Sequence, residues 1–82
     1  LRSCGAFVQS LATIGSGCPD LLVIWRGRVT LIEVKDGSKP ASGRKLTPDE
    51  SRWHNDALTT GGYVVAVSES VNDALRAIGA IK

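Results

Sequence analysis

Asp20, Glu33 and Lys35 are the residues whose types and spacing suit chemistry. Asp20 follows Pro19 at the mouth of the apolar run Leu21–Trp25, and Glu33 and Lys35 lie at the far end of a second run, Val29–Val34. Both runs are rich in β-branched and aromatic residues, and Arg26-Gly27 between them supplies the glycine that a tight hairpin turn needs. With Arg26 and Gly27 as the loop, Trp25 faces Arg28 and Asp20 faces Glu33. A four-residue loop, Trp25 to Arg28, keeps the same pairing. Cross-strand partners hold their Cβ atoms about 4.5–5.5 Å apart, and like charges directly opposite destabilise a sheet. Among Leu, Val and Ile neighbours that repulsion is poorly screened. A cation has to offset it. Lys35, two residues past Glu33 and on the same face, contributes one positive charge. A divalent ion contributes two, and carboxylate oxygens are what hard ions such as Mg²⁺ require, with water and substrate phosphates completing the shell.

The chemistry that follows is hydrolysis of a phosphodiester. Asp20 and Glu33 hold the ion, which polarises a phosphoryl oxygen and acidifies a water, and Lys35 orients or deprotonates the nucleophile. The structural alternative is a buried Lys35–Glu33 pair, with Asp20 capping the strand entry at Pro19. Three ionisable groups converging on one face of an apolar hairpin are costly to keep without a role, which favours the functional reading.

Pro19-Asp20 followed by Glu33-Val34-Lys35 resembles the PD-(D/E)xK nuclease pattern. The surrounding Gly17-Cys18-Pro19-Asp20-Leu21-Leu22 and the later Leu46-Thr47-Pro48 are similar to its virus-type replication-repair nuclease (VRR-NUC) branch, in the stand-alone form of phages and bacteria. The likeness runs from about Gly5 to Ala77, so residues 1–82 are read as one VRR-NUC-like domain. What the resemblance implies is a restriction-endonuclease-like α/β fold: a mixed central sheet, a three-stranded meander plus a parallel strand, flanked by helices. It implies cleavage of DNA with Mg²⁺ or Mn²⁺, with the Val34 carbonyl joining Asp20 and Glu33 as a metal ligand. It also implies an N-terminal helix supplying a further acid, whereas no Asp or Glu precedes Asp20 here. Leu1–Gly5 reads as the tail of such a helix, stopped by glycine. The family commonly has glutamine where this chain has Glu50. Glutamine can donate a hydrogen bond; ionised glutamate can only accept one or bind metal. Glu50 is therefore a helix cap or a third carboxylate of the site, and the cap is the preferred reading.

The remaining elements have to bring these groups together. Ala6–Leu11 alternates loosely and reads as a first strand, forming a meander with the hairpin. Thr13–Cys18 is a glycine-rich loop delivering the chain to Asp20. Asp36–Lys45 is polar and expected to be mobile, with Lys39, Arg44 and Lys45 available to phosphates beside the site. Arg26 and Arg28 at the hairpin tip could add backbone contacts or serve a partner subunit. Thr47-Pro48-Asp49-Glu50 is a helix start with a capping box, and the helix runs to Gly61-Gly62. Leu46, Trp53, Ala57 and Leu58 form its expected buried set, Arg52, Asn55 and Asp56 face solvent, and His54, one turn beyond Glu50, could reach the cleft but is read as a boundary residue. Tyr63–Val67 reads as a central strand, parallel to Val29–Lys35 through a right-handed crossover. Ser70 caps a last helix carrying Val71, Ala74, Leu75 and Ile78, stopped at Gly79.

Composition narrows the choice of function. A formal net charge of +2 over 82 residues is only mildly basic, so nucleic acid is indicated by where the cations lie rather than by their number. No apolar run approaches the ~18 residues of a membrane span and no signal-peptide pattern opens the sequence, so a cytoplasmic, intracellular protein is expected. Cys4 and Cys18 are then reduced thiols, and one histidine with two scattered cysteines lacks zinc-ligand spacing. The leading expectation is a structure-selective DNA endonuclease active in DNA repair. By resemblance it resolves branched DNA such as Holliday junctions as a homodimer. A monomeric flap nuclease or exonuclease is the alternative within the enzymes, and a non-catalytic DNA-binding or interaction module that keeps the fold is the alternative outside them.

Overall fold

Arg26 and Gly27 both adopt positive φ, 49° and 78°, the backbone that lets two antiparallel strands meet across a two-residue loop without splaying. The strands they join are β2 (Leu21–Trp25) and β3 (Arg28–Val34), paired Trp25 to Arg28 through Leu21 to Ile32. This is the register expected from the turn, and it brings Asp20 up against Glu33. The computed structural model describes all residues, 1–82. A first strand, β1 (Phe7–Ser10), pairs antiparallel with β2 and is shorter at both ends than the Ala6–Leu11 expected for it. Before it, Leu1–Gly5 contributes a single 3₁₀ turn, Arg2–Cys4, ended by a left-handed Gly5.

Helix α1 (Pro48–Gly61) follows β3, strand β4 (Ala66–Ser68) pairs parallel with β3, and helix α2 (Val71–Ile78) closes the chain. The result is a compact α/β fold: a four-stranded mixed sheet in the order β1-β2-β3-β4, with two helices. Each helix begins as its sequence dictates. Thr47 and Glu50 form a reciprocal capping box on α1, with Pro48 in the first turn, and the Ser70 side chain accepts from the Asp73 N–H on α2.

Alternation along β2 and β3 gives the sheet two unlike faces. On one, Val23 and Ile32 pack with Ala6, Ala74 and Ile78 into the buried cluster beneath α2. On the other lie Leu22, Leu31, Glu33 and Lys35, with α1 over the Glu33 end.

Two expectations are corrected. Tyr63–Val67 is not a strand throughout: β4 holds only Ala66–Ser68, and it is an edge strand rather than a central one. The cause is the end of α1. Gly62 turns left-handed, and the Gly62 and Tyr63 N–H groups are spent on the Leu58 and Ala57 carbonyls, so pairing cannot begin at Tyr63. The Tyr63 hydroxyl instead accepts from the Leu31 N–H at 2.8 Å, taking the place a strand carbonyl would fill. None of the buried set expected around α1 is fully buried: Leu46, Trp53 and Ala57 are half-buried and Leu58 is 50% exposed, because α1 meets the sheet through the polar Glu50 and His54 contacts rather than through an apolar face. On α2, Ala74 and Ile78 are buried, whereas Val71 is exposed.

Candidate functional site

The site forms where the C-terminal end of β3 meets the first turns of α1. Asp20 precedes β2, its carbonyl accepting from the Leu11 N–H at 2.7 Å and its Oδ2 accepting from the Val34 N–H at 2.8 Å. Those two bonds fix the aspartate against the end of β3. Val34, whose carbonyl was expected as a ligand, thus already has its N–H committed to Asp20. Glu33 points to the α1 face and is 1% exposed. Its carboxyl lies within hydrogen-bonding reach of Asp20. The expected juxtaposition of the two acids is present.

Glu33 responds electrostatically to that position. Burial, then the hydrogen bond and negative charge of Asp20, then the charge of Glu50, push its carboxyl up to about 8, with Lys35 opposing. Cys18, just ahead of Pro19, is also raised, by burial and then by the Glu33 and Asp20 charges.

Lys35 is close by but does not bond to Glu33. Its Nζ donates to Glu50 Oε1 at 2.6 Å, and that same oxygen accepts from the Thr47 N–H at 2.8 Å. Glu50 is therefore both a helix cap and a member of the site, two roles that the sequence set as alternatives. Burial pulls the Glu50 carboxyl up, and the bonds from Lys35 and Thr47 outweigh it, leaving the group below its ordinary value.

The residue that sequence reasoning left at the boundary is His54. Its Nε2 lies 3.2 Å from Glu33 Oε1, with the imidazole mostly enclosed. Burial leads in lowering its pKa, helped by Lys35 and opposed by Glu50. The signal was available in the spacing: His54 is four residues beyond Glu50, on the same helical face.

Gly17 explains how the loop and the helix come so close. Its φ is +81°, and a Cβ there would stand 2.2 Å from the Asp49 carbonyl oxygen, so only glycine lets the Thr13–Cys18 loop lie against the start of α1.

The basic residues expected at the site divide into three groups. Arg44 is paired with Glu69 at 2.6 Å, which ties the Asp36–Lys45 stretch to the turn before α2. The stretch is further shaped by the Asp36–Ser38 hydrogen bonds and a 3₁₀ turn, Ala41–Gly43, so it is more ordered than a free loop. Lys39 and Lys45 remain exposed on it. Arg26 stacks on Trp25 at 4.4 Å, and Arg28 lies beside Gly79 at the C-terminus of α2. Both belong to the hairpin tip, about 17 Å along the strand from Glu33. They are not part of the acidic cluster.

No group of three or more His, Cys, Asp and Glu side chains is arranged to hold a metal ion by itself. No helix is long and apolar enough to cross a membrane. Cys4 and Cys18 are unbridged. No protein-family model, curated protein or solved structure matches the chain.

Proposed function

We propose that the domain is a metal-dependent deoxyribonuclease of the PD-(D/E)xK class, VRR-NUC-like, which hydrolyses phosphodiester bonds in branched DNA as a homodimer. One observation carries this reading: two carboxyls meet at the end of β3, one of them 1% exposed and pushed up to about 8, in a place that a divalent cation suits better than a proton. The donor set fits Mg²⁺ or Mn²⁺. Asp20 and Glu33 would hold the ion, the Val34 carbonyl would assist, and water and phosphate would complete the shell. When bound, the ion would stabilise charge on the phosphoryl oxygens and lower the pKa of a water.

The chain's own residues do the rest. Lys35 keeps one of its three donors on Glu50, which leaves two for a phosphoryl oxygen or the attacking water. Glu50 holds that ammonium at the edge of the acidic pair. Lys39 and Lys45 are exposed on the adjoining segment and can track the DNA backbone, contacts that position without reading sequence.

Homodimerisation draws support from the face that α1 leaves bare. Phe7, Ile24 and Val29 are cross-strand partners over three strands and stand 56%, 37% and 50% exposed, a continuous apolar row. A non-catalytic module is the second reading. It is favoured by the way the Lys35–Glu50 and His54–Glu33 contacts satisfy the cluster from within. Incubating the protein with Mg²⁺ or Mn²⁺ and labelled junction, flap and duplex DNAs separates the readings. The nuclease reading expects metal-dependent cleavage of junctions, lost by at least about 100-fold in folded Asp20→Asn and Lys35→Ala variants. Undiminished cleavage in both variants refutes the site, absence of cleavage on every substrate favours the module, and products from flaps or ends alone favour the monomeric enzyme.

A further inference from the structure

We infer that His54 is a positioning residue for Glu33: its imidazole holds one carboxyl oxygen, Oε1, and so fixes how the carboxyl is presented to Asp20 and the space the two acids share. This deepens the proposed function and rests on it. His54 Nε2 meets Glu33 Oε1 at 3.2 Å, and neither side chain is open to solvent.

The match between helix and strand produces this contact. Glu50 and His54 are one turn apart on α1, a rise of about 6 Å. Lys35 and Glu33 are two residues apart on β3, about 6.6 Å. The two spacings coincide, so α1 meets β3 rung for rung, Glu50 on Lys35 and His54 on Glu33.

The polar surroundings of Glu33 then assign the imidazole its task. The other carboxyls near it, Asp20 and Glu50, can only accept while ionised, and the Lys35 ammonium donates to Glu50 rather than to Glu33. His54 supplies the N–H that an ionised Glu33 needs. Donating from Nε2 places the proton of the neutral ring on that atom. A carboxylate that binds metal holds its orientation through such an outer hydrogen bond, and losing the bond costs about 10–100-fold in metal affinity.

The test is titration of the metal-free protein with Mn²⁺ alone, followed calorimetrically, for the wild type, His54→Leu and His54→Gln, with thermal denaturation to establish folding. His54→Leu is expected to weaken Mn²⁺ binding about 10–100-fold. His54→Gln, whose side-chain amide reaches close to the Nε2 position, is expected to recover most of it. A folded His54→Leu with wild-type affinity overturns the inference, and so does His54→Gln binding as weakly as His54→Leu. If His54→Leu does not fold, His54→Asn replaces it, its amide being too short to reach Glu33; equal affinities in the Asn and Gln variants then overturn the inference. Wild-type protein that binds no Mn²⁺ removes the nuclease reading and this inference together. Wild-type binding with an unaffected His54→Leu removes this inference alone.

Discussion

Glu33 is the residue whose environment differs most from water, and its protonation reaches into the stability of the whole chain. A carboxyl pushed up to about 8 in the folded protein, against an ordinary value of 4.5, keeps its proton in the native state where the unfolded chain has lost it. Its stabilising contribution is therefore complete below 4.5 and is lost as pH rises through 8. His54 acts in the other direction. Its lowered pKa costs stability as pH falls below the ordinary 6.5, while Cys18, raised from 9.0, titrates above the window, and Asp20, Glu50 and Lys35 complete the charged surroundings. Between 6.5 and 8 the Glu33 effect is isolated. Metal-free protein is expected to lose about 2 kcal/mol over that interval, at ~1.4 kcal/mol per pH unit. Urea denaturation across the interval checks this: the wild type should weaken with rising pH, and Glu33→Gln should be nearly flat. A flat wild type would mean that Glu33 is already ionised at 6.5.

The elements differ in how much of their placement was legible beforehand. The β2–β3 register could be read because it is set locally, by Arg26-Gly27, and one turn then fixes Asp20 against Glu33 from a distance. Both helix starts could be read for the same reason, since Thr47, Glu50 and Ser70 bond to backbone groups within three residues. The onset of β4 could not. It depends on how the end of α1 uses its last N–H groups and on a phenol reaching back across the chain from Tyr63, neither of which hydrophobic patterning encodes. The spacing from Glu50 put His54 within reach of the cleft, but α1 has too few apolar residues for periodicity to show which face turns inward, so the boundary position was the plainer reading. That face is identified by its polar side chains. Tyr63→Phe tests the account of β4: losing the acceptor for the Leu31 N–H should cost about 1–2 kcal/mol and hasten Leu31 amide exchange, with the fold retained. Unaltered exchange at Leu31 would mean that the hydroxyl is dispensable.

At the scale of the molecule, only 10 of 82 residues are buried, a small core for a chain that must also enclose the Glu33 carboxyl. The exposed row Phe7, Ile24 and Val29 is where a second copy would add to it. Light scattering should then give about twice the 8.7 kDa chain mass for the wild type and the single-chain mass for a Phe7→Ser, Val29→Ser double variant. A wild type that stays at single-chain mass at high micromolar concentration would exclude the dimer. The position of Glu50 bears on how the whole molecule moves. Because a single oxygen, Oε1, receives both the Thr47 amide and the Lys35 ammonium, winding of the first helical turn and anchoring of the lysine are one event. Fraying at Pro48 would set the amine loose, and a polyanion that drew the amine away would loosen the turn in exchange.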